Sequence, residues 1–435
     1  MAAGSESGAR VNRLELLVYE RVKTNPWLKK TIVDAYQRVL RFVPVRTEKS
    51  AYPITARPNA FFGFHDKCPW SPDDTMLLGH RFDLPLRMPA PDETVEVGYY
   101  TGAGFLEFHP VGRTRAWNWQ MGAQLQWLGR SSRIIYNDFT DGVHVACIVD
   151  AEGRNLGTLP RPIAAVSPDG TAAVSHGFAR LRRCASGYGY ANGADPDATL
   201  LVPTDRGRGL SVLQVLTGEV RDLFSVAEIA AIEPEPSMNS AYHYFTHPLF
   251  SPSGKRFAFF HRWLERENQT WTRMFSCDLD GGNLYLFPTS NIASHLAWRD
   301  DRHLLVFGTA RPWGRAYRYF LFEDRGDRVE AIGAESFTSD GHPQFSPDGR
   351  WLLTDTYPDG FRVQRLILYD LVRNQRHDLA KVKEPFEFDD DLRCDLHPRW
   401  NRAGTMICFD SAHPGRRSLC TISPGSLAGT EPRSL

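Results

Sequence analysis

From about residue 60 onward the chain alternates short apolar runs with tight polar turns in a fixed order. An apolar run such as RFAFFHRW (256–263) or WLLTDTYP (351–358) follows each turn, and two further strand-like runs such as RLILYDL (365–371) and RHDLA (376–380) follow it. Runs of this length, rich in aromatic and branched residues and bounded by Ser, Pro, Asp and Gly, read as β-strands. The turn itself recurs as SPDG or a near copy at residues 71–74, 167–170, 251–254 and 346–349. Pro presets φ at its second position and Gly tolerates the conformation that follows. Weaker copies occupy the same place after LQW at 129–132, after LAW at 300–301 and after HPRW at 401–404.

Seven units of four short strands, spaced by roughly 40 to 55 residues, are the mark of a propeller among repeat architectures. The expected fold is therefore all-β, a seven-bladed β-propeller spanning 58–428. Its blades begin near Phe61, Gly122, Pro162, Tyr244, Ser294, Gly341 and Asp395. The third unit is irregular. The stretch SGYGYANGADPDATL (186–200) lengthens it, and an insertion of this kind is expected to fold over the mouth of the channel.

Upstream, Leu16, Leu17, Val22, Leu28, Ile32, Val33, Tyr36, Val39 and Leu40 follow helical spacing, interrupted at Asn25 and Pro26. Residues 1–50 are thus expected to form a helical extension outside the propeller. Residues 13–49 carry nine Lys/Arg against four Asp/Glu. That excess suits either a helical pair packed on the propeller or peripheral contact with an anionic membrane surface through residues 12–43.

Composition narrows the partners. With 51 basic and 51 acidic side chains the formal net charge is zero, so no global field attracts nucleic acid, and an anionic ligand must be held locally. Seven Cys without a CxxC pair fit neither a disulfide framework nor a zinc ribbon. No transmembrane stretch and no secretory leader are evident, so a cytoplasmic location is expected, with association to the envelope as the alternative.

Candidate chemistry emerges when the strands before each turn are aligned. His247, His342 and His397 stand four residues ahead of the turn and His295 five, and the equivalent slot holds Lys67, Gln124 and Ile163 in the first three blades. First strands of propeller blades line the central channel, so equivalent slots fall on one ring. Strand alternation places Asp340 beside His342, and Arg393 and Asp395 beside His397. Such a ring could ligate a divalent metal (Zn²⁺, Mn²⁺ or Ca²⁺), with the carboxylates orienting the imidazoles. The alternative reading is a metal-free polar cluster that grips an anion. A second set comprises His65, Asp66, Asn137, His144, Arg180, Arg182, Tyr188, Tyr190, Arg206, Arg208, Tyr242, His243 and Tyr244. Tyr and His serve as general acids and bases, and Arg forks onto carboxylates.

The segments DGHPQFSPDGRWLLTDTYPD and RCDLHPRWNRAGTMICFDSAHPGRR resemble the propeller-fold polysaccharide lyases of the oligogalacturonate lyase and ulvan lyase type, over most of 60–425. The resemblance implies β-elimination on a uronate-containing acidic polysaccharide or oligosaccharide, with a metal held by His247, His342, His397 and His295. It further implies His144, Tyr188, Arg206 and Tyr244 as catalytic residues, and His65, Lys67, Gln124, Asn137 and Arg182 as substrate contacts. Gln124 departs from the pattern, standing where a second catalytic His is looked for. The alternative function is a non-catalytic propeller that binds a glycan or protein partner in envelope-polysaccharide metabolism.

Overall fold

The computed structural model describes residues 46–265, 269–314 and 316–425. These residues form seven antiparallel sheets arranged as the blades of a propeller. The first strands of the blades are Ala60–Phe61, Gln126–Trp127, Ala165–Val166, Tyr242–Phe250, Ala293–Trp298, Gln344–Phe345 and Arg399–Trp400. Each is an edge strand of its sheet, followed in order by the second, third and fourth.

The ring closes by sharing a blade between the two ends of the described chain. Ile54–Pro58 pairs antiparallel with Ser418–Ile422 and completes blade seven, whose other three strands come from the C-terminal side. Closure of this kind ties the N-terminal side of the described chain to the last blade by backbone pairing. Glu48–Ser50, the end of the expected helical extension, is instead a strand. It pairs with Gln375–Lys383 as a fifth strand on blade six. The helical pair expected over 12–43, and the membrane contact read from it, lie outside the described residues.

The repeated turn has the anticipated chemistry. Gly170, Gly254 and Gly349 donate their backbone N–H to the carbonyls of Ser167, Ser251 and Ser346, each at 2.8 Å. All three glycines have positive φ, at 76°, 73° and 69°, a conformation that costs glycine little. In blade one Asp74 takes that position at φ 59°. The Ser71 hydroxyl donates to Asp73 at 2.6 Å and accepts the Met76 amide at 2.9 Å, which locks the turn to the second strand.

Apolar residues of neighbouring blades interleave to make the core. Leu210 and Val212 of blade three pack with Phe257, Phe259 and Phe275 of blade four; Leu353 and Leu366 of blade six pack with Ile407 and Phe409 of blade seven. Buried apolar area at about 25 cal/mol per Å² is the main stabilising term for such an assembly. Among the described residues no helix is long and apolar enough to cross a membrane. All seven cysteines are free.

Candidate metal centre in the channel

Five histidines converge at the channel: four from the aligned slot, and His65 from the FFGFHD segment. Ring centroids of His295 and His342 lie 4.1 Å apart, and those of His342 and His397 lie 4.2 Å apart. His65 stands 5.4 Å from His342, 5.7 Å from His295 and 6.4 Å from His397. His65, His342 and His397 are 1 %, 0 % and 2 % exposed, so a polar atom without a protein partner here calls for a water, an ion or a chemical role.

Three such atoms exist: Nε2 of His65, His342 and His397 is buried without a hydrogen-bond partner in each case. At His342 the reason is explicit, because Nδ1–H is taken by both oxygens of Asp355, at 2.8 and 2.9 Å. That contact fixes the tautomer and leaves the Nε2 lone pair open, the usual support behind a metal-bound imidazole. His65 likewise directs Nδ1 to the Pro343 carbonyl at 3.0 Å. His342, Asp395 and His397 offer donor atoms that all lie within 4.8 Å of one another. These three could hold a metal ion.

The other two ring histidines are engaged differently. His295 meets Asp340 through Nδ1 at 3.1 Å, and its Nε2 faces the Tyr357 hydroxyl at 3.5 Å. His247 pairs Nδ1 with the Thr246 hydroxyl at 2.7 Å, and its ring neighbours are Phe64, Tyr188 and Phe260. Of the expected ligands His247, His295, His342 and His397, the structure brings donor atoms of His342 and His397 together with Asp395, while His295 packs beside His342 and His247 lies across Phe64. Asp395 was expected only behind the imidazoles. A bidentate contact from Arg393, at 2.6 and 2.8 Å, holds it.

Charge in the cluster follows from burial and neighbours. Burial carries His65, His247 and His397 well below the ordinary imidazole range, and nearby cationic groups push the same way. At His295 burial also wins, partly offset by Asp340. For His342 burial is outweighed by Asp355, with Asp395 and Asp340, so its basicity is raised. Burial would raise Asp395, but Arg393 holds it below the usual carboxylate range.

A second polar slot, unrecognised in the sequence, positions the first. Thirteen residues after each ring position, on or just past the second strand, stand His80, Asn137, His176, Phe260, Gly308, Asp355 and Asp410. Four of them tie down the entry to the next blade. Asp355 accepts the His397 amide at 3.1 Å, and Asp410 accepts the Phe62 and Gly63 amides at 2.9 Å each. His80 accepts the Ala123 amide at 3.0 Å, and Asn137 brackets Ile163 with two bonds of 2.7 Å. Buried Arg399 joins Asp410 at 3.2 Å to the carbonyls of His397 and Gly63. Phe64 and His65 are thereby fixed to blade seven.

The remaining sequence candidates are scattered. Tyr188 lies at the ring, its side chain 5.8 Å from His247 and 6.2 Å from Phe64. Its loop bridges the mouth: Asn118 donates to the Tyr188 carbonyl at 2.9 Å, and Ser186 bonds Asp391. Burial raises the Tyr188 hydroxyl to about 12. Tyr244 is packed with Phe178, Leu181 and Tyr190, away from solvent. His144 bonds Asn192 at 3.0 Å and lines a separate pocket of about 320 Å³ with His176 and Arg208. Arg206 is on the surface, paired with Glu228. Asn137 spends both amide hydrogens on Ile163 and Tyr190, and Gln124 is buried against Met121. Lys67 is paired with Asp66 at 2.8 Å, and Arg182 is on the helix Phe178–Cys184.

No family model matches the chain, and no curated protein matches it. Solved structures do. An oligogalacturonate lyase in complex with manganese superposes with TM-score 0.59 at 14 % identity, covering 88 % of this chain and 93 % of that one. An oligogalacturonate lyase from Vibrio parahaemolyticus gives TM-score 0.58 at 11 % identity, covering 87 % and 98 %. The propeller domain of the trilobed protease from Pyrococcus furiosus also matches, at TM-score 0.46 and 11 % identity over 80 % and 89 %. At these identities the likeness establishes the class of fold, a β-propeller, and nothing narrower.

Proposed function

We propose that the chain is a polysaccharide lyase that cleaves a uronate-containing glycan by β-elimination, using a divalent ion held by His342, Asp395 and His397. The carrying observation is the pair of buried, unpartnered Nε2 atoms of His342 and His397 beside the Asp395 carboxylate. Two imidazoles and one carboxylate suit Zn²⁺ or Mn²⁺ better than Ca²⁺, which prefers all-oxygen surroundings. Manganese accompanies one of the lyases that shares the fold.

A bound divalent cation supplies fixed positive charge that neutralises a uronate carboxylate and acidifies the proton on the adjacent carbon. The chain's own groups complete the arrangement. Arg393, stacked 4.6 Å over the Tyr357 ring, adds positive charge beside Asp395. His65, kept neutral by burial, presents a free lone pair to accept the carbon-bound proton. As the C–O bond to the leaving sugar breaks, Tyr188, still protonated at neutral pH, can give its proton to the departing oxygen.

Purified protein, stripped of metal and then reloaded with Mn²⁺ or Zn²⁺, should release an ultraviolet-absorbing unsaturated sugar from one of a panel of uronate polymers and oligomers. Only the loaded form should do so. Stoichiometric metal without any unsaturated product would overturn the reading. The second reading, a non-catalytic propeller that binds a glycan or protein partner, then stands. It is favoured by one observation: the ring is almost fully buried beneath Tyr188 and Phe64.

A further inference from the structure

Phe64 occupies a place that no sequence pattern marked. Its ring stands 4.9 Å from His247, 5.0 Å from His397, 5.8 Å from His295 and 6.0 Å from His342. It is 3 % exposed. An aromatic ring thus sits among the four histidines whose common slot would otherwise let them share one ion. Its backbone is held, since the preceding Phe62 and Gly63 amides bond Asp410 and the Gly63 carbonyl accepts from Arg399 at 3.0 Å. Gly63 itself has φ 116°, and a Cβ there would come within 2.7 Å of the Met121 carbonyl carbon, so only glycine fits the turn that leads into Phe64.

We propose that Phe64 sets the make-up of the ion site by walling His247 off from His342, Asp395 and His397. The inference rests on the ion-holding role given to those three residues above. Its consequence is chemical. A site closed by four protein donors is a structural one, whereas three donors leave coordination positions for water and for substrate. By keeping His247 away, Phe64 preserves open positions at which a uronate carboxylate could reach the cation. The His247 backbone has φ 55°, in a strand whose register shifts between Thr246 and Leu249. His397 has the same left-handed backbone, at φ 43°. Local chain geometry therefore does not separate the two, and the intervening ring does.

The test uses metal affinity by titration calorimetry and, for Mn²⁺-loaded protein, the enhancement of water-proton relaxation, which reports water on the ion. In the otherwise unchanged chain, His247→Ala should leave Mn²⁺ and Zn²⁺ affinity within about twofold. His342→Ala should lose more than the roughly 10- to 100-fold associated with an orienting contact alone. Phe64→Ala should admit His247, tighten Zn²⁺ binding by roughly tenfold and reduce the water relaxation, with both changes reversed by adding His247→Ala. A loss in His247→Ala as large as in His342→Ala would overturn the inference while leaving the ion site intact. So would Phe64→Ala with wild-type affinity and relaxation. Absence of metal uptake by wild type and every variant overturns the ion site itself, a different failure. Should Phe64→Ala not fold, the comparison of His247→Ala with His342→Ala decides alone.

Discussion

Asp355 and His342 form the contact on which the channel cluster turns: both carboxylate oxygens lie within 2.9 Å of the His342 Nδ1, and one also accepts the His342 amide at 2.7 Å. The other oxygen reaches the His397 amide, so one side chain orients one donor and fixes the backbone of the next. Asp355→Asn keeps the shape but weakens the hold on the Nδ1 proton. Metal affinity should fall by about 10- to 100-fold, with Asp355→Ala lower still. Calorimetric titration of both variants checks this, and affinity equal to wild type in both would remove Asp355 from the site.

The resemblance implies catalytic roles for both Tyr188 and Arg206, yet one borders the ring and the other is on the surface with Glu228. Tyr188→Phe should lower product formation by about 100-fold or more while metal binding stays unchanged, as expected for a lost proton donor. Arg206→Ala should match wild type in both. A large drop in turnover for Arg206→Ala, with Tyr188→Phe fully active, would reverse these assignments.

Acid sensitivity should come from the histidines that burial keeps neutral, His65, His247 and His397 of the channel ring and also His80 and His176 outside it. Burial depresses His80 to about 3 and His176 to about 4, against roughly 6.5 for a free imidazole. The unfolded chain takes up these protons first, so the stability is fully present above about pH 6.5 and is lost as pH falls towards 4 and then 3. Each histidine contributes a limiting slope of about 1.4 kcal/mol per pH unit. Denaturant unfolding of metal-free protein between pH 7 and 4.5 should show the decline, and His80→Gln should make it shallower. An unchanged slope in His80→Gln would show that this imidazole does not titrate on unfolding.

Closure depends on Arg57, buried in the strand that completes blade seven. It donates to the Leu419 carbonyl at 3.1 Å and the Thr421 hydroxyl at 3.0 Å, and it also reaches the Phe105 and Gly104 carbonyls of blade one. Arg57→Met retains the bulk but strands these acceptors. It should cost about 2–4 kcal/mol in unfolding free energy, with metal affinity unaltered in the folded fraction. A change below about 0.5 kcal/mol, the usual range for surface positions, would mean that the Arg57 side chain does not contribute to closure.

The sequence by itself determined the repeat, the turn and the ring slot. Each is a local pattern: Ser, Pro, Asp and Gly select the turn over a few residues, and an offset of four to five residues puts His247, His295, His342 and His397 at equivalent places on or just before successive first strands. The thirteen-residue offset to Asp355 and Asp410 was equally present, but its meaning is a bond to the following blade, and only packing reveals that partner. Tertiary structure decided which histidines meet. A slot fixes a residue's height in the channel and not the direction of its side chain or what stands between two of them. Phe64 entering from the FFGFHD segment, Asp395 turning into ligand reach under Arg393, and the 186–190 loop spanning from Asn118 to Asp391 all depend on chain paths between blades. Those paths are set by contacts hundreds of residues apart, such as Arg399 with Gly63, and local propensity carries no information about them.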